Sequence, residues 1–192
     1  MSDRFNVQVA VDGVPSTSMW DVFRLVVDEA TRLYKSQAKG FWLLRVSGRT
    51  ASSTYHRKSV SLLRRAFEDN GASVRTAEAW VSPTIGAAKI SLVTVTAYFD
   101  GDEPLRISAS GSDGIKVEQF GAALQRALSS SAAITQVAPG CRFVAGKVES
   151  HSNDSGSSFS AFSGGLATWL LGVVGTVVTG LLVALILRGL GQ

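Results

Sequence analysis

Cysteine and histidine are scarce in this sequence. Its 192 residues include one cysteine, Cys141, and two histidines, His56 and His151. A single cysteine cannot form an intramolecular disulfide, and it excludes a zinc site built from several cysteines. Neither histidine lies near a Ser–Asp or Cys pattern of the kind that nucleophilic catalysis requires. The sequence therefore favours a non-enzymatic protein without a metal centre, with Cys141 as a small apolar residue of a strand.

Strong charge of one sign and nucleotide-binding motifs are missing as well. The formal net charge is +4, with 19 Lys and Arg against 15 Asp and Glu. A dedicated nucleic-acid-binding domain usually concentrates far more positive charge on one face, so nucleic acid is not an expected partner. The sequence has neither the glycine-rich loop that binds nucleoside triphosphates nor the one that binds dinucleotides. No cofactor is expected, although the mild positive charge permits an anionic lipid or a phosphate-bearing ligand.

A secretion signal is the third absence. Residues 1–15 lack the charged start, the unbroken apolar stretch and the small-residue cleavage site of such a signal. They contain instead Phe5, Val7, Val9 and Val11, which alternate with more polar residues. This period of two predicts a half-buried strand at the start of a folded domain.

The sequence does contain one long segment without charge, residues 166–187, in which the polar residues are Thr168, Thr176 and Thr179. A helix of this length spans roughly 33 Å, which matches the roughly 30 Å hydrocarbon core of a bilayer. A helix buried in a soluble core is the alternative, but such helices are usually shorter and keep a polar stripe. The segment therefore predicts a transmembrane helix, and the lipid bilayer is the first expected partner.

The residues on either side of this segment suggest a tail-anchored topology. Only residues 188–192 follow it, and residues 150–165 before it are rich in Ser and Gly. Without a secretion signal, we expect the domain of residues 1–149 to stay in the cytoplasm and the short tail to cross the membrane. The Ser/Gly segment predicts a flexible linker with a reach of roughly 20–25 Å.

Small residues recur at three- and four-residue spacings within the predicted span. They are Gly172, Gly175, Thr176, Thr179 and Gly180. Such spacings let two membrane helices approach closely, which predicts a homo-oligomer that packs along this face. The alternative is that Gly and Thr are simply common in membrane helices.

The domain itself shows helical and strand periods in the order β-α-β-α-β-β-β-α-β. This order predicts an α+β fold with a mixed, largely antiparallel sheet, about three packed helices and one early βαβ crossover. The predicted helices are residues 18–38, a second from near Ser53 to residue 70, and 115–130; the predicted later strands are 41–46, 72–81, 89–99, 105–110 and an interrupted segment 134–148.

Polar and basic residues cluster where the second helix is expected to begin. Free backbone N–H groups at a helix N-terminus attract anions, so the cluster predicts an anion or ligand site. Its members are Arg49, Ser52, Ser53, Thr54, His56, Arg57 and Lys58. One alternative is that Arg57, Lys58, Arg64 and Arg65 form the solvated face of the helix. A second alternative is that this basic face rests on anionic lipid headgroups.

A second group of charged residues is Asp100, Asp102 and Glu103, which surround a glycine between two predicted strands. Their carboxylates could bind a divalent cation, but a metal site needs further ligands. Asp and Gly are also the residues that a tight hairpin turn prefers, so the sequence predicts a turn here and no metal site.

These observations rank three functions. The first is a tethered domain that binds a protein or a small ligand at the membrane, as a sensor or a scaffold. The second is an oligomerising effector, of a toxin-like or defence type, that disrupts the membrane through the predicted span. The third and weakest is a membrane-tethered enzyme, because the sequence shows no catalytic set.

Overall fold

The computed structural model describes residues 4–37, 40–84, 89–100 and 105–151. The predicted transmembrane segment, its small-residue face and most of the predicted linker lie outside these residues. Within them, no helix combines the length and the apolar character that crossing a membrane requires.

The described chain is an α+β fold with one antiparallel sheet and four α-helices. A 3-10 turn, Ser16–Ser18, leads into the first helix. The elements in chain order are β1 (Arg4–Asp12), α1 (Met19–Gln37), β2 (Trp42–Arg49), β3 (Thr54–Arg57), α2 (Val60–Asp69), β4 (Thr76–Pro83), β5 (Ile90–Tyr98), β6 (Leu105–Gly111), α3 (Gly114–Ser129), α4 (Ala132–Val137), β7 (Arg142–Ala145) and β8 (Glu149–His151).

The strands lie in the order β3-β2-β4-β5-β6-β1-β7, and β8 also pairs with β1. All neighbouring strands in the described sheet are antiparallel. Four antiparallel steps separate β2 from β1, so these two strands run in the same direction. Helix α1 therefore makes the predicted early crossover, but it passes over three intervening strands.

One face of the sheet forms the core. A single row of paired residues crosses five strands through Val46, Ala79, Val95, Ile107 and Val9. Each of the five is exposed by 1% or less. Helices α1, α2 and α3 pack on this face, against β5, β2 and β1 respectively. The burial of apolar surface between the two layers is the main stabilising contribution to the fold.

The predictions for the two longest helices and for the end of α2 are confirmed. The buried stripe of α1 runs through Val22, Val26, Ala30 and Tyr34 at helical spacing. Helix α3 begins after Asp113, whose Oδ1 accepts a hydrogen bond of 3.1 Å from the backbone N–H of Lys116. Gly71 follows α2 with a φ of +58°, the left-handed conformation that ends a helix at low cost.

The start of the second helix was predicted wrongly. Residues Thr54–Arg57 form strand β3, which pairs with the end of β2, and α2 begins only at Val60. Ser59 caps α2 by accepting a hydrogen bond from the backbone N–H of Leu62 at 3.3 Å. The local pattern of hydroxyl residues therefore belongs to a hairpin turn instead of a helix N-terminus.

The interrupted strand predicted for residues 134–148 is also wrong in its first part. Residues Ala132–Val137 form α4, because the Ser131 hydroxyl caps the backbone N–H of Ile134 at 3.4 Å. Ser18, just before α1, donates its hydroxyl to the Val137 carbonyl at 3.0 Å. This bond ties the start of α1 to the end of α4. The last described strand, β8, ends at His151, inside the predicted linker.

Candidate binding surface on the open face of the sheet

The two faces of the sheet differ sharply in composition. Next to the fully buried row runs a second row of paired residues on the opposite face, through Arg45, Trp80, Thr94, Ser108 and Gln8. All five are half-buried or exposed. We call the face that carries this row the open face, because the described helices pack on the other one.

Another row of paired residues on the open face carries charges of both signs, on Glu78 and Arg106. It runs through His56, Ser47, Glu78, Thr96 and Arg106. Ser47 is the one member of this row that is fully buried, between the longer side chains on the two neighbouring strands. The hydroxyl groups of Ser and Thr and the carboxylate of Glu78 make the centre of the open face polar.

The open face also carries aromatic and arginine side chains. Trp80 and Tyr98 are half-buried, whereas Arg45, Arg49 and Arg106 are exposed. The guanidinium carbon of Arg106 lies 6.0 Å from the centroid of the Tyr98 ring. Trp, Tyr and Arg are the residues that most often dominate the binding energy of protein interfaces. On strands β2, β4, β5 and β6, the described residues of this face include three arginines and one acid, Glu78.

The sequence of β4 carries a signal for this surface. Within β4, the buried residues Ala77, Ala79 and Val81 alternate with Glu78 and Trp80. This alternation is typical of a strand with one covered and one open face. It places a tryptophan on the open side, although only the pairing of β4 with its neighbours shows which residues surround it.

The predicted anion cluster is divided between the two faces of the sheet. Because side chains alternate along a strand, Thr54 and His56 lie on the open face while Tyr55 and Arg57 lie on the helix side. The Tyr55 ring packs against Phe67 of α2, with a centroid distance of 4.8 Å. The side chains of His56 and Arg57 therefore lie on opposite faces of the sheet.

The backbone N–H groups of the β2–β3 turn are used within the turn itself. Thr50 Oγ1 accepts hydrogen bonds from the N–H of Ser52 at 3.1 Å and from that of Ser53 at 2.9 Å. Arg57 donates a hydrogen bond to the His56 carbonyl at 2.7 Å. An anion at this turn would have to be bound by side chains such as Arg49 and Lys58.

The basic residues of α2 are partly neutralised. Arg64 contacts Asp21 of α1 at 3.1 Å and Glu68 at 2.7 Å. The hydrogen bond with Glu68 is the main cause of a raised pKa of Arg64. Because both of these carboxylates already bind Arg64, the helix offers less free positive charge than its sequence suggests.

A cavity of about 370 Å³ lies between the end of α3, α4 and the start of β7. Cys141, Arg142 and Phe143 are among its lining residues, and Arg142 is the one charged residue among them. Burial raises the pKa of the Cys141 thiol, which lowers its fraction of reactive thiolate. Because Arg142 is the one charged residue of the lining, the cavity lacks the paired acid and base that catalysis would need.

The acidic hairpin lies largely outside the described residues, which include only Asp100 of the three acids. Its carboxylate forms an ion pair with Arg75, at 3.2 Å from Nε. In the part of the chain that the structure describes, no group of three or more His, Cys, Asp and Glu could hold a metal ion.

No family model, curated protein or solved structure matches this chain.

Proposed function

We propose that the chain is a single-pass membrane protein in which residues 166–187 anchor a non-enzymatic protein-binding domain. The observation that carries the anchor is the run of 22 residues without a charged side chain. Hydrocarbon accepts such a helix, whereas a charged residue at its centre would cost about 2.5–3.5 kcal/mol.

The domain binds its partner through the open face, with Trp80 as the central contact. Trp80 lies beside Arg45 on β2 and Thr94 on β5, so an aromatic ring is surrounded by hydrogen-bond donors. Arg45 and Arg49 on β2 outnumber Glu78 on β4, which favours a partner that presents carboxylates. The proposed ligand is therefore an acidic protein surface held close to the bilayer.

Fractionation of the full-length protein tests the anchor. After lysis without detergent and ultracentrifugation, the protein should be in the membrane pellet, resist extraction at alkaline pH and be released by detergent. A variant that lacks residues 166–187 should move to the supernatant. Full-length protein in the supernatant would contradict the anchor.

Site-specific photocrosslinking in cells tests the open face. A photoreactive amino acid at Thr94, beside Trp80, should give a discrete adduct with a partner, and Arg45→Glu should abolish that adduct. The same amino acid at Lys116, on the exposed side of α3, is the matched control. Equal adducts at both positions, or an adduct that is insensitive to Arg45→Glu, would contradict binding through this face.

A second candidate function is an oligomerising effector that disrupts the membrane. The observation that favours it is the repeated small-residue spacing of Gly172, Thr176 and Gly180 in the predicted span. Inducible expression with a membrane-potential dye tests it. Depolarisation that depends on residues 166–187 and disappears in Gly172→Leu/Thr176→Leu supports the effector. An unchanged potential at equal expression contradicts it.

A further inference from the structure

The outer edge of β2 is only half covered. Strand β4 pairs with all eight residues of β2 on the inner side. On the outer side, β3 pairs with β2 from Val46 to Arg49 only. In the described sheet, the segment from Trp42 to Arg45 therefore has no strand partner on its outer side.

The hydrogen-bond directions along β2 show which backbone groups point outward. The backbone N–H and C=O groups of the odd-numbered residues point toward β4. The Phe41 carbonyl accepts a hydrogen bond from Thr84 N–H at 2.9 Å, and the Arg49 carbonyl accepts one from Arg75 N–H at 2.7 Å. Thr50, an even-numbered residue, donates toward the β3 side. Since these directions alternate along a strand, the N–H and C=O groups of Trp42 and Leu44 point out from the sheet edge.

Two apolar side chains at this edge are accessible, whereas Trp42 and Leu44 are half-buried and Lys35 of α1 lies over the Trp42 ring, 4.2 Å from its centroid. Phe41 is 80% exposed and Leu43 is 40% exposed. Natural sheet edges are usually protected by lysine, proline or a bulge, because an unprotected edge pairs with another strand. Between Phe41 and Arg45, the one charged residue is Arg45 itself.

We propose that this edge pairs with the same edge of a second copy of the chain, antiparallel, about a two-fold axis at Leu43. Trp42 then lies opposite Leu44 of the second copy, and Leu44 lies opposite its Trp42. Each of these pairs exchanges two N–H···O hydrogen bonds, so all the outward groups of both residues are satisfied.

The side chains of the segment complement each other in this register. On the open face, Leu43 meets its own copy, and Phe41 meets Arg45 across the axis. Arginine beside an aromatic ring is a favourable contact, and no like charges face each other. On the helix side, Trp42 lies beside Leu44.

Neighbouring registers fit less well, which argues for this axis. An axis at Leu44 would place Trp42 opposite Val46, whose outward groups already bond to β3. An axis at Trp42 would place Leu44 opposite Gly40, which has no side chain, and would replace the two Trp42–Leu44 contacts with one Trp42–Trp42 contact. The register about Leu43 therefore satisfies the outward groups of Trp42 and Leu44 and gives both an apolar neighbour, which favours a second copy over an unrelated strand.

A pairing of about five residues is weak in dilute solution, because an isolated pair of strands is marginally stable. Its strength in the cell rests on the proposed anchor, since two chains in one bilayer meet at a high effective concentration. The position of the axis does not depend on the anchor, since it is argued from the described residues of β2 and β3.

Disulfide trapping in the full-length protein tests the pairing. In a Cys141→Ser background, Leu43→Cys should form a disulfide dimer under mild oxidation of isolated membranes. Across the axis, the two Cα atoms of residue 43 should lie about 4.5 Å apart. That separation is within the range of disulfides, about 4.4–6.8 Å. Val144→Cys is the matched control, since Val144 is 53% exposed on the open face but lies on β7 at the far side of the sheet.

A charge exchange makes the test specific to the register. Phe41→Lys places a lysine opposite Arg45 of the second copy and should reduce the Leu43→Cys dimer several-fold. Adding Arg45→Glu should restore the dimer, because the two side chains then attract. Failure of this rescue would overturn the register.

The remaining outcomes separate this inference from the proposed anchor. Membrane-bound protein in which Leu43→Cys gives no more dimer than Val144→Cys would overturn the edge pairing and leave the anchor intact. A crosslink of residue 43 only to a different protein would also overturn it. A dimer trapped specifically at residue 43 in protein from the supernatant would support the pairing and contradict the anchor.

Discussion

Gly48 of β2 lies directly against the ring of Phe67 on α2. A Cβ atom at position 48 would come within 2.6 Å of Phe67 Cε2, closer than real Cβ contacts allow. Gly48→Ala should therefore lower the free energy of unfolding by about 1–3 kcal/mol, the usual cost of overpacking a core. Urea unfolding of the full-length protein in detergent measures this loss. Combined with Phe67→Leu, the alanine should cost less than it does alone, and strict additivity would contradict the contact.

A substitution at Thr31 of α1 should stabilise the protein. Its side chain is 7% exposed, and its hydroxyl oxygen has no hydrogen-bond partner among the described residues. Thr31→Val keeps the shape and removes the unsatisfied group, so it should stabilise the protein by about 1 kcal/mol. Thr31→Ser, which keeps the hydroxyl and loses the methyl group, should destabilise it. A valine variant less stable than the wild type would show that the hydroxyl has a partner.

Asp113 should make stability depend on pH. The hydrogen bond from the backbone N–H of Lys116 is the main cause of a lowered pKa of its carboxyl, and Lys89 Nζ at 3.4 Å adds to it. The ionised carboxylate is preferred in the folded state, so its contribution is complete above the ordinary aspartate pKa and is lost as the pH falls through the lower folded value.

Asp113→Asn is the matched variant, because asparagine also caps helices but does not titrate. At neutral pH the urea midpoint of the wild type should exceed that of Asp113→Asn. This difference should shrink once the pH falls below the ordinary aspartate range. A difference that does not change with pH would contradict the role assigned to the carboxylate.

Cys141 should react slowly with thiol reagents. Its thiol is half-buried beside α4, and burial raises its pKa. Because the thiolate is the reactive form, labelling of native protein by a disulfide reagent at mildly alkaline pH should be slower than labelling in urea. Ile134→Ala, which removes a buried side chain of α4, should speed the native reaction. Equal rates in native and unfolded protein would show that the thiol is not buried.

The sequence predicted best those elements whose pattern is long and local. Helix α1 has 19 residues, so its apolar stripe repeats over several turns and fixes both its type and its buried face. Strand β1 is predicted equally well, because Val7, Val9 and Val11 alternate without interruption. In both cases the residues that define the element lie within it.

The sequence predicted worst the short elements that depend on distant partners. Strand β3 has four residues and exists because β2 lies beside it, so its hydroxyl-rich approach resembled a helix start. In α4, the β-branched residues Ile134, Thr135 and Val137 favour a strand, but the Ser131 cap favours a helix. The open face was missed for a related reason. Its neighbours Arg45, Trp80 and Thr94 come from three strands, and only the sheet register brings them together.

The position of β1 has a consequence for how the protein is made. Val9 pairs with Ile107 on one side and with Ala145 on the other, so the first of the described strands in chain order lies between two of the later ones. Until β6 and β7 have emerged, neither edge of β1 has its lasting strand partner along Val9–Val11. Contacts between residues this far apart in sequence slow folding, and apolar surface stays exposed until these contacts form. The centre of the sheet is therefore expected to close only after β7 has been synthesised.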